Sequence, residues 1–258
     1  MTGTLYLVPN TLDFGCSSGE GVALPDLRQV LPLGVIERAS GLTSWVCENA
    51  KSARAFLKRV DAVIPLAIPL QSIAIVELPR PPKGRHEPPV SMKAEMARLL
   101  GPALETTDIG LLSEAGLPAV ADPGAALVQS AHELGVRVVA LPGASSILLA
   151  LAASGLNGQS FAFVGYLPVD AASRTARIRE LEQWSRKTQQ AQICIETPYR
   201  NQALLAALLA ALDANTRLSV SCGLTLDTGW SRSDTVQRWR SGPASTPNDV
   251  PAVFSFMA

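Results

Sequence analysis

Three short loops carry the residues best suited to chemistry, and each follows an apolar run that reads as a strand: Ser113-Glu114-Ala115-Gly116, Pro142-Gly143-Ala144-Ser145-Ser146 and Gly165-Tyr166-Leu167-Pro168. Glu114 is a carboxylate able to accept hydrogen bonds from ribose hydroxyls or an ammonium group. Ser145 and Ser146 open an apolar helix, Ile147–Ala153, whose first N–H groups have no partner within the helix and can meet a carboxylate or another polar group. Gly143 permits close backbone approach. Tyr166 offers a flat apolar face with a polar tip. Each loop also has a plain structural reading: Ser145 and Ser146 cap a helix, Glu114 is solvated and Tyr166 packs in a core. Three such loops together point to one small-molecule cleft, because ligands of open α/β sheets sit beyond the carboxyl ends of the strands. A second acid, Asp122, lies in Leu111–Gly124, LLSEAGLPAVADPG, where its side chain is expected to cap the following helix.

The elements that must position these loops follow from the alternation of short β-branched runs with helical segments, which predicts an α/β fold. Strands are expected at Leu5–Val8, Gly34–Glu37, Ser44–Cys47, Ile73–Glu77, Ile109–Ser113, Arg137–Leu141, Phe161–Gly165, Gln192–Glu196, Leu218–Cys222 and Ala252–Phe256. Helices are expected at Ala50–Arg59, Met92–Leu100, Ala125–Leu134, Ser146–Ser154, Ala171–Lys187 and Asn201–Leu212. The punctuation near Ala115 suggests two halves, 1–115 and 116–258. Leu78–Pro89, LPRPPKGRHEPP, is too rich in proline for a regular helix or central strand and reads as an exposed loop.

Composition narrows the function classes. The 258 residues carry 22 basic and 22 acidic side chains, so any nucleic-acid contact must come from a local patch. Four cysteines, Cys16, Cys47, Cys194 and Cys222, lie far apart, and the only histidines are His86 and His132. That argues against a zinc site or a disulfide framework and fits a reducing cytoplasm. The first residues, MTGTLYLVPN, do not read as a signal peptide, and no apolar run approaches the ~20 residues needed to span a bilayer. There is no Walker A loop, dinucleotide GxGxxG, Gly-x-Ser-x-Gly elbow or HExxH helix.

Five stretches in order, LYLVP, SEAGLPAVADPG, LPGASSILLALAASGL, FAFVGYLP and ETPYR, resemble the tetrapyrrole methylase family of S-adenosylmethionine-dependent methyltransferases, and within it the branch that methylates a ribose 2′-hydroxyl of ribosomal RNA. The resemblance implies two α/β domains with the methyl donor, S-adenosyl-L-methionine, in the cleft between them, a homodimer, and no metal. It places Pro9, Ser113, Glu114, Leu117, Ser145, Ser146, Gly165, Tyr166, Leu224 and Ala252 at the donor. The first loop departs from the branch's usual PTPIGNL-like text, reading Pro9-Asn10-Thr11-Leu12-Asp13. The usual acidic AEDTR segment is Cys47-Glu48-Asn49-Ala50-Lys51, a Thr-Lys pair is Thr225-Leu226, and a usual Asp is Glu114. The donor side is thus retained and the acceptor side altered.

If the acceptor is a ribose hydroxyl, its proton must be removed, and Glu48 is the catalytic candidate, with Lys51 to lower the hydroxyl's pKa or hold a phosphate. Both also read as a solvated helix start. Basic segments suited to ribosomal RNA or the small ribosomal subunit are Lys51-Arg54-Lys58-Arg59, Arg80-Lys83-Arg85 and Arg174-Arg177-Arg179. Arg200 is expected either to pair with Glu196 or to touch substrate. The alternatives are methylation of a small molecule such as a tetrapyrrole, and a non-catalytic paralogue that binds the donor.

Overall fold

The computed structural model describes residues 2–13, 24–79 and 90–258. The chain forms two compact units, Met1–Ala144 and Ser145–Ala258, each built on its own sheet. The boundary therefore falls at Ala144 and not near Ala115. The physical reason is the last strand of the first unit, which pairs with the first strand of the chain and so binds everything up to residue 140 to the N-terminal sheet.

In the first unit the elements run β1 (Thr4–Val8), α1 (Leu33–Gly41), β2 (Ser44–Cys47), α2 (Ala50–Asp61), β3 (Ala74–Glu77), α3 (Val90–Leu99), α4 (Gly101–Leu104), β4 (Ile109–Leu112), α5 (Ala125–Glu133) and β5 (Arg137–Ala140). The sheet is parallel throughout, in the order β3-β2-β4-β1-β5. Its central strand β4 is buried along its whole length, as expected where helices cover both faces of a parallel sheet. Gly110 of β4 lies opposite Trp45 of β2, and a Cβ there would come within 2.6 Å of the indole ring. The glycine thus makes room for the fully buried tryptophan. Gly34–Glu37, expected as a strand, lies inside α1. Val35, Ile36 and Ala39 are buried at helical spacing, and a short apolar run alone does not distinguish the two periods.

The second unit runs α6 (Ser146–Ser154), β6 (Phe161–Tyr166), α7 (Ala171–Thr188), β7 (Ala191–Glu196), α8 (Asn201–Ala211), β8 (Arg217–Cys222), β9 (Trp230–Thr235), α9 (Val236–Ser241) and β10 (Ala252–Met257). Its sheet has the order β6-β7-β10-β8-β9. β6 and β7 are parallel, while β10 enters antiparallel between β7 and β8, and β9 closes the far edge antiparallel to β8. Phe254 and Phe256 of β10 are wholly buried in a core with Leu204, Leu205 and Leu208 of α8 and Trp239 of α9. The sequence reading omits β9, because Trp-Ser-Arg-Ser-Asp-Thr lacks the apolar alternation of a half-buried strand and lies at an edge.

Candidate functional site

In the first unit the loops beyond β1 and β4 are stitched together by one side chain. Asn10 donates from Nδ2 to the carbonyls of Ser113 and Glu114, both at 3.0 Å, while its backbone N–H donates to Gly116 O at 2.8 Å. Its Oδ1 accepts the Thr11 N–H at 2.8 Å. Beside it, Arg59 of α2 reaches across to Asp13, with Nη2 3.0 Å from Oδ2, and also donates to the Thr11 hydroxyl and the Pro25 carbonyl. Pro9 fills the space beside Gly143, where an added Cβ would meet the proline ring at 2.3 Å. The first-strand loop is therefore fixed from three directions by groups that are largely out of water.

Carboxylates gather at this end of the sheet. Glu48, just past β2, accepts the Glu114 backbone N–H on Oε1 at 3.2 Å, and the Ser52 hydroxyl holds Glu114 Oε1 at 3.0 Å. Burial, with the neighbouring Glu114 charge adding to it against the stabilising Glu114 N–H, raises the Glu48 pKa above the ordinary 4.5. Asp122 goes further, to about 7, pushed up by burial and then by the charges of Glu48 and Glu114. It does not cap the next helix as expected: the residue before α5 is Gly124, at φ 131°, with no side-chain cap. Glu77, at the end of β3, accepts the Ala50 N–H at 2.8 Å at the start of α2. Among the described residues no group of three or more His, Cys, Asp or Glu is placed to hold a metal ion.

The remaining candidates of the first unit divide by role. The Ser113 hydroxyl is taken up by the carbonyls of Ala115 and Gly116, so this side chain shapes the loop. Leu117 lies in the same loop, half-buried. Lys51 sits exposed in the first turn of α2, its backbone N–H donating to Asn49 Oδ1 at 2.9 Å. Asn49 is the N-cap of that helix and also accepts from Ser52 N–H, so the change from the usual Asp retains the cap. Of the first basic segment, Arg59 is committed to Asp13, which corrects its placement among free cations; Arg80-Lys83-Arg85 lie outside the described residues.

In the second unit, strand register gathers the other candidates at one end of the sheet. Tyr166 pairs with Ile195, and Ala252 lies between Glu196 and Cys222. Leu224 follows β8 and packs against the apolar cluster that includes Ile147 and Val253, while the Pro251 carbonyl accepts the Gly223 N–H at 3.0 Å. The C-terminal end of α6 reaches the edge strand β9, where Ser154 O accepts the Ser233 hydroxyl, and Ile147 in its first turn shares an apolar cluster with Val253 and Leu224. The buried Ser145 is the N-cap residue by position but makes no side-chain capping bond. Gly165 adopts φ 70° where the β6–β7 register shifts, a conformation that favours glycine, and Tyr166 beyond it is exposed. Ala252 is buried. Arg200 lies 2.9 Å from Glu196, an ion pair misaligned for a hydrogen bond.

Asn10, Ser52 and the electrostatic tie of Asp122 to Glu48 escape a reading of the sequence. The only signal for Asn10 is its position directly after the first strand, while Ser52 and Asp122 act through contacts distant in the chain.

Comparison with known proteins follows the same lines. Over 128 residues the chain is 38% identical to ribosomal RNA small subunit methyltransferase I of Halalkalibacterium halodurans, covering 50% of this chain and 43% of that protein. Over 140 residues it is 34% identical to the enzyme of that name from Vibrio cholerae, covering 54% and 46%. The matched segment thus spans less than half the length of these relatives. In fold, the chain is similar to the methyltransferase CobJ, with a TM-score of 0.55 at 16% identity, covering 100% of this chain and 95% of that one. It is also similar to the uroporphyrin III C-methyl transferase of Thermus thermophilus, with a TM-score of 0.52 at 17% identity over 99% and 97%. Residues 48–229, which contain Glu48, Glu114, the α6 N-terminus and the Gly165-Tyr166 turn, match the family of tetrapyrrole (corrin/porphyrin) methylases, and the chain belongs to that family.

Proposed function

We propose that the chain is an S-adenosylmethionine-dependent methyltransferase acting on a ribose 2′-hydroxyl of ribosomal RNA, working in the cytoplasm as a homodimer. The observation that carries this reading is the placing of Glu48 against Glu114 at the ends of two neighbouring strands, inside the segment that matches the methylase family. The names of the relatives support the RNA acceptor.

The residues present fit such a donor. Ser52 holds one oxygen of Glu114 and so fixes the carboxylate for a hydroxyl or ammonium, while the Ser145 hydroxyl is free of a capping bond at a helix start. Pro9, Ser113, Glu114 and Leu117 of the first unit, and Ser145, Ser146, Gly165, Tyr166, Leu224 and Ala252 of the second, are the proposed contacts. The sulfonium donor supplies an activated methyl group, so the protein's task is alignment and proton removal. Glu48 would take the proton of the acceptor hydroxyl, to which the bound donor would supply its methyl group. A raised pKa makes Glu48 a stronger base once ionised, and its charge is present only above that pKa. Lys51, exposed three residues further on, is the proposed holder of an RNA phosphate.

Calorimetry with S-adenosylmethionine tests donor binding, and mass-spectrometric mapping of ribosomal RNA from cells with and without the protein tests the acceptor. Donor binding and one ribose methylation lost on deletion are expected; an unchanged map removes ribosomal RNA as target. Glu48→Gln should lower kcat by about 10²–10⁴ while leaving donor affinity intact. The acid limb of the wild-type profile should lie above 4.5, since activity requires the ionised form. Unchanged kcat in the variant excludes Glu48 as the base.

A further inference from the structure

α7 carries five cationic side chains, Arg174, Arg177, Arg179, Arg186 and Lys187, against two acids. One acid is turned inward: Glu182 is buried, and its Oε1 accepts the Asp213 N–H at 2.8 Å and the Thr216 hydroxyl. Only Glu180 remains outside to oppose the cations, and it pairs with Arg177 at 2.6 Å. In a chain with equal numbers of acidic and basic residues, this is a strongly local concentration of positive charge.

The same helix exposes a tryptophan. Trp45 and Trp239 are fully buried, whereas Trp184 is 52% exposed, with the Lys187 ammonium 6.0 Å from its ring centroid. Trp184 lines a groove of about 470 Å³ along α7 and the edge strand β6, together with Ala162, Val164, Arg177, Lys187 and the Glu180 carboxylate that pairs with Arg177. Gln183 adds an exposed amide with both donor and acceptor. An indole face, flanking cations and an amide form the combination that takes unpaired nucleobases, the ring by stacking and the cations through the phosphates.

We infer that this groove binds a single-stranded segment of RNA, with Trp184 stacking on a base and Arg177 and Lys187 meeting the backbone. The inference rests on the proposed RNA acceptor and adds a binding surface separate from the methyl-transfer residues. A peptide adding to the free edge of β6 fits less well. The register shift between Phe163 and Gly165 breaks the ladder such a peptide would extend, and a peptide strand has no need of the cations.

The test is fluorescence anisotropy of the full chain with a labelled single-stranded RNA of roughly ten nucleotides, titrated at several salt concentrations. Trp184→Ala should weaken binding about ten-fold or more, and Trp184→Phe, which keeps a stacking ring, should restore most of it. Arg177→Gln and Lys187→Gln should each flatten the salt dependence, by about 0.7 in slope per cation removed. All three side chains lie at the surface, so thermal melts should stay close to wild type. Equal affinity and slope in wild type and variants overturn the inference. So does a Trp184→Ala chain that binds RNA normally but sediments at half the wild-type mass, which gives the face to a second copy. Calorimetry with S-adenosylmethionine on the same samples separates the two readings. Donor binding without Trp184-dependent RNA binding removes the groove alone; RNA binding without donor binding removes methyl transfer and leaves the groove.

Discussion

At the scale of single residues, the acids of LLSEAGLPAVADPG show how far chemical type goes before geometry is needed. Glu114 stands out as a candidate acid because it follows an apolar strand, although the residue type alone also suits a solvated loop. Asp122 reads as a helix cap, yet it is half-buried facing the charges of Glu48 and Glu114, with its pKa near 7. Nothing local in the sequence announces this, because the partners lie elsewhere in the chain. The folded state holds this proton more tightly than the unfolded chain, whose value is about 3.8. Stability therefore falls as pH rises from about 3.8 through 7. Asp122→Asn should raise the Tm relative to wild type at about pH 8, and the difference should vanish below about pH 3.8. Calorimetric melts across that range decide it; a variant less stable than wild type at high pH would show that the ionised Asp122 has a favourable partner.

At the scale of elements, most strands and helices follow from apolar period, and the failures have specific causes. α1 was open to a strand reading because Gly-Val-Ile-Glu is too short to show its period, and β9 is polar because it is an edge. The ties between elements are less legible. Arg59 sits in a basic stretch of α2 that suits RNA, but it closes on Asp13 at 3.0 Å with both side chains largely out of water. This joins α2 to the loop after β1, which carries Pro9. Removing the cation takes a largely buried ion pair and its hydrogen bonds out of this junction, so Arg59→Ala should cost about 3 kcal/mol of stability. Urea unfolding measures this, and a loss below about 1 kcal/mol, the range of a surface pair, would mean that the loop does not depend on the contact.

At the scale of the whole molecule, the two-part α/β organisation was legible in the alternation of elements and in the family resemblance, but the boundary was not. Glycine and proline near Ala115 suggest a linker, whereas they shape a loop that Asn10 binds to its own sheet. Only the pairing of β5 with β1 reveals that residues 116–144 belong to the first unit. Fragments 1–144 and 145–258 should each melt cooperatively, followed by circular dichroism, because each keeps its own sheet and core. Fragment 1–115 should not, having lost α5 and the strand that covers β1. A cooperative melt of 1–115 would return the boundary to Ala115.

The position of β10 has a consequence for how the protein is made. Among the described residues it is the last strand in the chain order, yet it lies at the centre of the second sheet and is the one strand that joins β6-β7 to β8-β9. In N-to-C order those two strand pairs precede β10, so their inner edges lack their native partner until Ala252–Met257 has emerged. The first unit has its founding strand β1 from the outset and can close while the second is still being translated. The nascent chain thus carries a finished half beside an open one, and the interval before β10 arrives is when exposed strand edges are most prone to pair wrongly.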